Sequence, residues 1–358
     1  MHQAGLFGLA DHLKRLSAHG DPLEELGRIV DFEGFRPILV AALAYGDGAK
    51  GGRPPYDPVT MLKVLVLAAQ NNVADARMEY LIRDRLSWLR FLGFDLGAAT
   101  PDANTIRLFR EKLTEAGALD AVFADFDRRL KERGYLAMGG QIVDATLVAA
   151  PKQRNTEPEK VAIKEGKTAA EIWPDEPARA AQKDTDARWT LKFAKGRPAA
   201  DGTPRIDIAI PSFGYKSSIA ICRTFGFIRK GKVTDGARFD GRMLRDVVTG
   251  DNTASDVWAD TAYRSQANEK WLKAQGRVSR IHRKKPKGKP MPDHVRRGNA
   301  AKSKVRARVE HVFAQQKAKM GLFIRTIGIK RAGAKITLAN LAYNMNRLIF
   351  HERRDAMG

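Results

Sequence analysis

Gln141-Ile-Val-Asp144-Ala-Thr-Leu-Val148 is the stretch that decides the fold. Apolar and β-branched residues dominate it, so it reads as a strand, and it carries one carboxylate. A second acid, Asp260, ends the short apolar run of Asp256-Val-Trp-Ala-Asp260-Thr-Ala-Tyr-Arg264. A third, Glu310, lies in Val305-Arg-Ala-Arg-Val-Glu310-His-Val-Phe-Ala-Gln-Gln-Lys317, a basic segment with helical character. Two strand-borne aspartates and one helix-borne glutamate are distributed as a divalent-metal site for phosphoryl transfer is, because such chemistry needs carboxylates to hold one or two hard cations at the scissile phosphate. A chain with 41 Asp and Glu contains many such triples by chance, so the contexts carry the reading.

Outward from Asp144 the chain divides. Before it, residues 1–135 read as helical. Apolar positions recur at helical spacing in Val59-Leu62-Val66-Ala69, Met78-Leu81-Ile82-Leu86 and Ile106-Phe109-Leu113, the last after a Thr100-Pro101-Asp102 start signal. Arg53-Pro54-Pro55-Tyr56-Asp57-Pro58 is a stiff entry to the first helix. The arginines of this region (Arg77, Arg83, Arg85, Arg90, Arg107 and Arg110) fit docking on DNA phosphates or, equally, the solvated face of a packing domain. From Gly139 the pattern becomes strand-like, with further strands expected over Tyr215–Cys222, Phe227–Val233, Val257–Ala259 and Val278–Ile281. Helices are expected over Gln266–Ala274 and from near Ala300 to Lys319. Residues 150–205, rich in Lys, Glu, Pro and Ala, read as a polar, partly flexible insertion. The expectation is an α/β catalytic domain over 136–350 behind an all-helical domain over 1–135.

Composition narrows the chemistry. Of 358 residues, 43% are apolar, enough for a sizeable core. The longest apolar run is broken by Lys63, and the N-terminus has no signal-peptide pattern, so a cytoplasmic protein without membrane spans is expected. The lone Cys222 excludes an intrachain disulfide and a thiolate cluster and reads as a small core residue. The seven histidines show no paired ligand spacing, which leaves carboxylates and a hard cation such as Mg²⁺.

Lys and Arg total 63, giving a formal net charge of +22, a field that attracts polyanions and nucleic acid above all. The charge is concentrated: Arg283 to Lys319 holds thirteen Lys and Arg against Asp293 and Glu310. On a helix turning about 100° per residue, Ser303, Arg306, Glu310 and Lys317 share one stripe, with Glu310 placed for metal and Arg306 and Lys317 for flanking phosphates. The competing reading is an ordinary surface pairing of Arg306 with Glu310, worth a few tenths of a kcal/mol. Asp184, Asp186 and Asp256 are left outside the acidic set. Trp258 and Phe313 read as core residues, while Trp189 and Phe193 suit core or base stacking equally.

Asp144-Ala-Thr, Ala259-Asp260-Thr-Ala-Tyr263-Arg-Ser and Arg306-x3-Glu310-x6-Lys317 resemble the DDE signature of bacterial insertion-sequence transposases of the IS4 and IS5 kind. Asp186-Ala-Arg-Trp-Thr, Phe213-Gly-Tyr-Lys216, Val305 to Phe313 and Asn340-Leu-Ala-Tyr-Asn-Met-Asn-Arg347-Leu resemble the IS5 group, as do Arg85 to Gly93 and Pro101 to Arg110 in the helical region. The similarity runs from about Arg53 to Arg347. It implies an RNase H-like core and cleavage at element ends, with 3′-hydroxyl strand transfer into target DNA and Mg²⁺ as cofactor, replaceable by Mn²⁺. It also implies double-stranded DNA as partner, in the form of terminal inverted repeats and target, and a homodimer in the active complex. Carried over by position, Asp144, Asp260 and Glu310 are the metal ligands and Arg306 and Lys317 their basic partners. Ser303 stands where the family has tyrosine, so aromatic stacking is lost there. Lys216, Arg283, Lys284, Lys285, Lys287 and Arg308 complete the expected DNA contacts. A silent transposase-derived DNA-binding protein and a nuclease without strand transfer are the alternatives.

Overall fold

The structure is a computed structural model that describes residues 8–45, 54–194 and 208–356; Arg53 and the last part of the expected insertion lie outside these. The described chain falls into two compact units. One comprises residues 1–133, 318–321 and 337–358, the other 134–317 and 322–336.

The first unit is helical: α1 (Gly8–Ala18), α2 (Pro22–Ile29), α3 (Arg36–Leu43), α4 (Pro58–Asn71), α5 (Asp75–Asp84), α6 (Leu86–Leu92), α7 (Ala103–Glu115) and α8 (Ala118–Glu132). Local chemistry sets the starts. Asp57 and Asp102 accept the N–H of Thr60 at 2.8 Å and of Thr105 at 2.7 Å, capping α4 and α7. Val59 and seven of the residues from Leu62 to Ala69 line the buried face of α4, which forms the centre of this core. Lys63 is accommodated because its ammonium lies 5.5 and 5.2 Å from the ring centroids of Phe32 and Phe91 and donates to the Phe91 carbonyl at 3.3 Å. The Met78–Leu86 pattern does not make one helix. Arg85 is extended (φ −109°, ψ 109°), so Leu86 opens α6 and the apolar spacing continues across a break.

The second unit carries a six-stranded mixed sheet. Its strands are β1 (Gln141–Ala149), β2 (Arg188–Ala194), β3 (Ile208–Cys222), β4 (Ile228–Asp235), β5 (Asp256–Trp258) and β6 (Val278–Ser279), in the order β2-β3-β1-β5-β6 with β4 also paired to β3. β3 runs antiparallel to β1, β2 and β4, whereas β1, β5 and β6 are parallel. The entry to β1 is fixed tightly. Gly140 (φ 92°) donates to Asn252 Oδ1 at 2.9 Å and accepts from Asn252 Nδ2 at 3.0 Å, and a Cβ there would sit 2.6 Å from the Asp256 carbonyl oxygen. Only glycine allows β1 and β5 to start that close together.

The insertion is more ordered than its composition suggests. Between β1 and β2 it forms short helices α9 (Glu157–Lys164), α10 (Ala169–Ile172) and α11 (Pro177–Ala180), and it includes β2, a strand that the polar pattern hides. After β4 come α12 (Leu244–Val247), α13 (Gln266–Ala274), α14 (Asp293–Ala314) and α15 (Ile329–Asp355). α14 begins seven residues before the expected Ala300, and its continuation, Gln315–Lys319, is a π turn. One face of the sheet packs Val143, Ala220 and Val257 against Leu244, Val247, Tyr263, Leu272 and Ile281. α14 contacts β1 and β5. Trp258, Phe313 and Cys222 are buried as expected, while Trp189 and Phe193 are exposed. No helix among the described residues is long and apolar enough to cross a membrane.

Candidate active site

β1 and β5 pair in parallel through Gln141 with Val257 and Ile142 with Trp258. Two residues further along the chain from Ile142 and Trp258 stand Asp144, still inside β1, and Asp260, just past the carboxyl end of β5, so the parallel register puts the two aspartates at the same level on neighbouring segments. Asp260 caps the short turn Thr261–Tyr263, its Oδ1 accepting the Ala262 N–H at 2.7 Å. Asp144 Oδ1 accepts the N–H of Ala145 at 2.9 Å, and its Oδ2 accepts from Arg306 Nη1 at 2.6 Å. The other arm of the same guanidinium, Nη2, lies 2.6 Å from Glu310 Oε1. α14 thus delivers Glu310 and Arg306 together to the strand that carries Asp144.

The stripe expected on this helix is realised differently at its ends. Ser303 Oγ is 3.5 Å from His282 Nε2. Lys317 lies on the π turn, where the 100° repeat no longer holds, yet its ammonium still reaches β1, donating to Thr146 Oγ1 at 2.5 Å. The pairing of Arg306 with Glu310 is present, but it is not an ordinary surface pair. It shares its cation with Asp144, whose side chain is 14% exposed against 56% for Glu310.

Two residues outside the expected set share this environment. Burial pushes the Tyr263 phenol far up, and the carboxylates of Asp144, Asp240 and Asp260 push it further. Its hydroxyl is buried without a hydrogen-bond partner. Asp240 lies 2.8 Å from the ammonium of Lys216, which also donates to the Arg238 carbonyl at 2.6 Å. Tyr263 is visible beside Asp260 in the sequence; Asp240 has no local signal, because only the tertiary fold brings it near.

The other expected DNA contacts fall into two groups. Arg283, Lys284, Lys285 and Lys287 are exposed on the loop between β6 and α14. That loop is pinned by Asn299, which accepts the Arg283 N–H and donates to the Arg283 carbonyl, each at 3.0 Å. Arg308 is exposed but donates to the Arg223 carbonyl. In the helical unit Arg110 grips Asp75 with two bonds of 2.7 and 2.6 Å, and Arg90 binds Asp21 at 2.6 Å, so these two serve internal packing.

The donor set of Asp144, Asp260 and Glu310 is all oxygen, which suits a hard divalent cation. As arranged, the acids are spaced by a guanidinium: among the described residues no three His, Cys, Asp or Glu side chains stand together as a metal cage. Burial pushes the Asp144 carboxyl up to about 6, against the Arg306 guanidinium and the Ala145 N–H, with Asp260 and Asp240 adding to the rise.

This shift has a measurable sign. Between an unfolded value near 4 and about 6, the folded protein holds a proton at Asp144 that the unfolded chain has lost, so stability falls as pH rises through that window and levels off above it. The Asp144→Asn variant lacks this group. Its stability relative to wild type should therefore climb by about 2 kcal/mol from pH 4 to pH 7, on top of a constant offset from the altered Arg306 pair. Urea unfolding across that range without divalent metal measures the difference, and a flat difference would remove the perturbed acid.

An aspartate within β1, a second just past the parallel β5, a helix-borne glutamate and a strongly basic chain fit an enzyme of the nucleic-acid backbone. Residues 136–345 match the family described as Transposase DDE domain, and residues 11–112 match Transposase domain (DUF772). The first match covers more than half of the chain, and the chain belongs to that family: it is an insertion-sequence DDE transposase. DDE transposases use divalent metal ions and act on DNA. No solved structure matches the chain.

Proposed function

We propose that this transposase, of the IS5 group, cleaves DNA at the ends of its insertion sequence and joins the freed 3′-hydroxyl to target DNA. In this reading Asp144, Asp260 and Glu310 hold Mg²⁺, for which Mn²⁺ can substitute, on an RNase H-like core. The observation that carries it is the convergence of Asp144 and Glu310 on one guanidinium, with Asp260 at the neighbouring strand end. When bound, the metal supplies a more acidic water and neutralises charge developing on the phosphoryl oxygens.

The chain's own residues do the rest. Asp144 is fixed within β1 and Asp260 in the capped turn after β5, each accepting a backbone N–H, so they need little reorganisation. Arg306 and Lys317 supply positive charge along the same face for flanking phosphates. Arg283, Lys284, Lys285 and Lys287 extend that basic surface. The catalytic domain of this proposal is 136–350 and the helical domain is 1–135, which would bind element ends and assemble the complex as a homodimer in the cytoplasm.

The direct test incubates purified protein with labelled element ends and Mg²⁺ and resolves the products. Cleaved and joined species are expected. Cleavage without joining would make the protein a nuclease, and binding without cleavage a silent relative.

The exposed loop gives a second expectation. Backbone contacts release counterions, so replacing Lys284, Lys285 and Lys287 together with alanine should weaken binding alike for specific and random duplexes. It should also make the slope of log affinity against log salt shallower by about 2 to 3. An unchanged slope in a filter-binding titration would place this loop away from DNA.

A further inference from the structure

Arg306 does more than a phosphate clamp on a helix face requires. Its two terminal nitrogens are each 2.6 Å from a carboxylate, one on β1 and one on its own helix, and the Asp144 partner lies 162 residues away in sequence. Its side chain is 21% exposed, and its Nε is buried without a hydrogen-bond partner. A single planar monocation therefore compensates two acids, beside a third, while leaving one of its own donors unsatisfied. A wholly structural arginine gains most when every donor is paired. Here the cation is held by the two acids the metal reading needs, and it remains within reach of solvent.

We propose that Arg306 and the divalent cation compete for the carboxylates of Asp144 and Glu310, and that a DNA backbone phosphate relieves the competition by taking the guanidinium. This rests on the assignment of Asp144, Asp260 and Glu310 as ligands. Guanidinium binds phosphate and carboxylate in the same bidentate manner, so a phosphate at the site is a fair exchange for the two acids. Arg306 is then a positioning residue. Without DNA it spaces the acids and lowers their affinity for metal; with DNA it swings to the phosphate and leaves an oxygen site of higher charge. Linkage makes the effect reciprocal, so metal also tightens DNA binding by the same factor.

The test is Mn²⁺ binding, read as free Mn²⁺ by paramagnetic resonance, with Mn²⁺ held by duplex alone subtracted. For wild type, a short random duplex should tighten Mn²⁺ binding by roughly tenfold, within the usual range for coupled sites. Arg306→Gln should bind Mn²⁺ roughly tenfold more tightly than wild type with no DNA present, and duplex should then add little. Arg306→Lys keeps a cation that cannot bridge two carboxylates with one planar group. It should shift in the same direction and decides the matter if the glutamine variant does not fold.

Folded Arg306 variants that bind Mn²⁺ no more tightly than wild type would overturn the competition, as would wild-type affinity indifferent to duplex. The double variant Asp144→Asn, Asp260→Asn separates this from the underlying assignment. If it binds Mn²⁺ as wild type does, the ligand assignment itself fails. If it loses Mn²⁺ while the Arg306 variants stay at the wild-type value, only the competition fails.

Discussion

Asp144→Asn, Asp260→Asn and Glu310→Gln are each expected to lower the single-turnover rate of end cleavage in Mg²⁺ by at least about 10³-fold, about 4 kcal/mol of barrier, while DNA affinity changes by no more than the roughly tenfold coupling to metal. Asp144 stands within β1, Asp260 follows the neighbouring parallel strand β5, and Glu310 on α14 shares the Arg306 guanidinium with Asp144, so an amide in any one of the places removes charge from the same locus. Phosphate contacts elsewhere on the basic surface do not depend on that charge. The amide variants keep side-chain volume, which guards against misreading a folding defect as a catalytic one. Asp144→Asn has the further value that the partner it alters is known: Arg306, which also pairs with Glu310 at 2.6 Å. Cleavage within tenfold of wild type for any one of them, with normal DNA binding, would take that residue out of the site.

The parts of this site that follow local rules are legible in the sequence. The apolar, β-branched context of Asp144 and the short run ending at Asp260 place strands correctly, because such residues pack on a half-buried pleated surface. α13 follows from Ser265, whose hydroxyl accepts the Asn268 N–H at 3.1 Å and caps it. What stays hidden depends on tertiary partners. The Arg306–Asp144 bond joins residues 162 apart, and no spacing rule reaches that far. Helical periodicity cannot show the extended Arg85, since the apolar repeat runs through the break, nor the π turn that carries Lys317.

The insertion is a different case, for it does carry a signal. Thr156-Glu-Pro-Glu159 and Thr168-Ala-Ala-Glu171 have the spacing of capping boxes, and Glu159 and Glu171 each accept their threonine's N–H at 2.7 Å. Polar composition masks those short signals, because it dominates any window long enough to show periodicity. It also conceals Asp184, which has the sequence context of a polar-loop acid. Asp184 is no solvated loop residue.

Asp184→Ala should destabilise the protein by about 3 to 4 kcal/mol, the largest stability effect expected of a single polar substitution in this unit. Asp184 is 4% exposed, and its carboxylate is fully occupied. It accepts the Tyr215 hydroxyl at 2.8 and 2.7 Å and the N–H groups of Asp186 and Ala187 at 3.0 Å each. Tyr215 is itself fully buried on β3, so the bond ties the insertion to the sheet shortly before β2 begins. Truncation to alanine leaves a buried phenol and two backbone donors without their acceptor, and each carries a desolvation cost of about 1 kcal/mol or more. Tyr215→Phe removes only one donor and leaves the carboxylate with its two N–H bonds, so it should cost less, about 1 to 2 kcal/mol. Combining the two should cost less than their sum, because the orphaned hydroxyl is gone. Urea unfolding of the three variants measures all of this. A loss below about 1 kcal/mol for Asp184→Ala, or strict additivity with Tyr215→Phe, would mean that the insertion is not anchored through this pair.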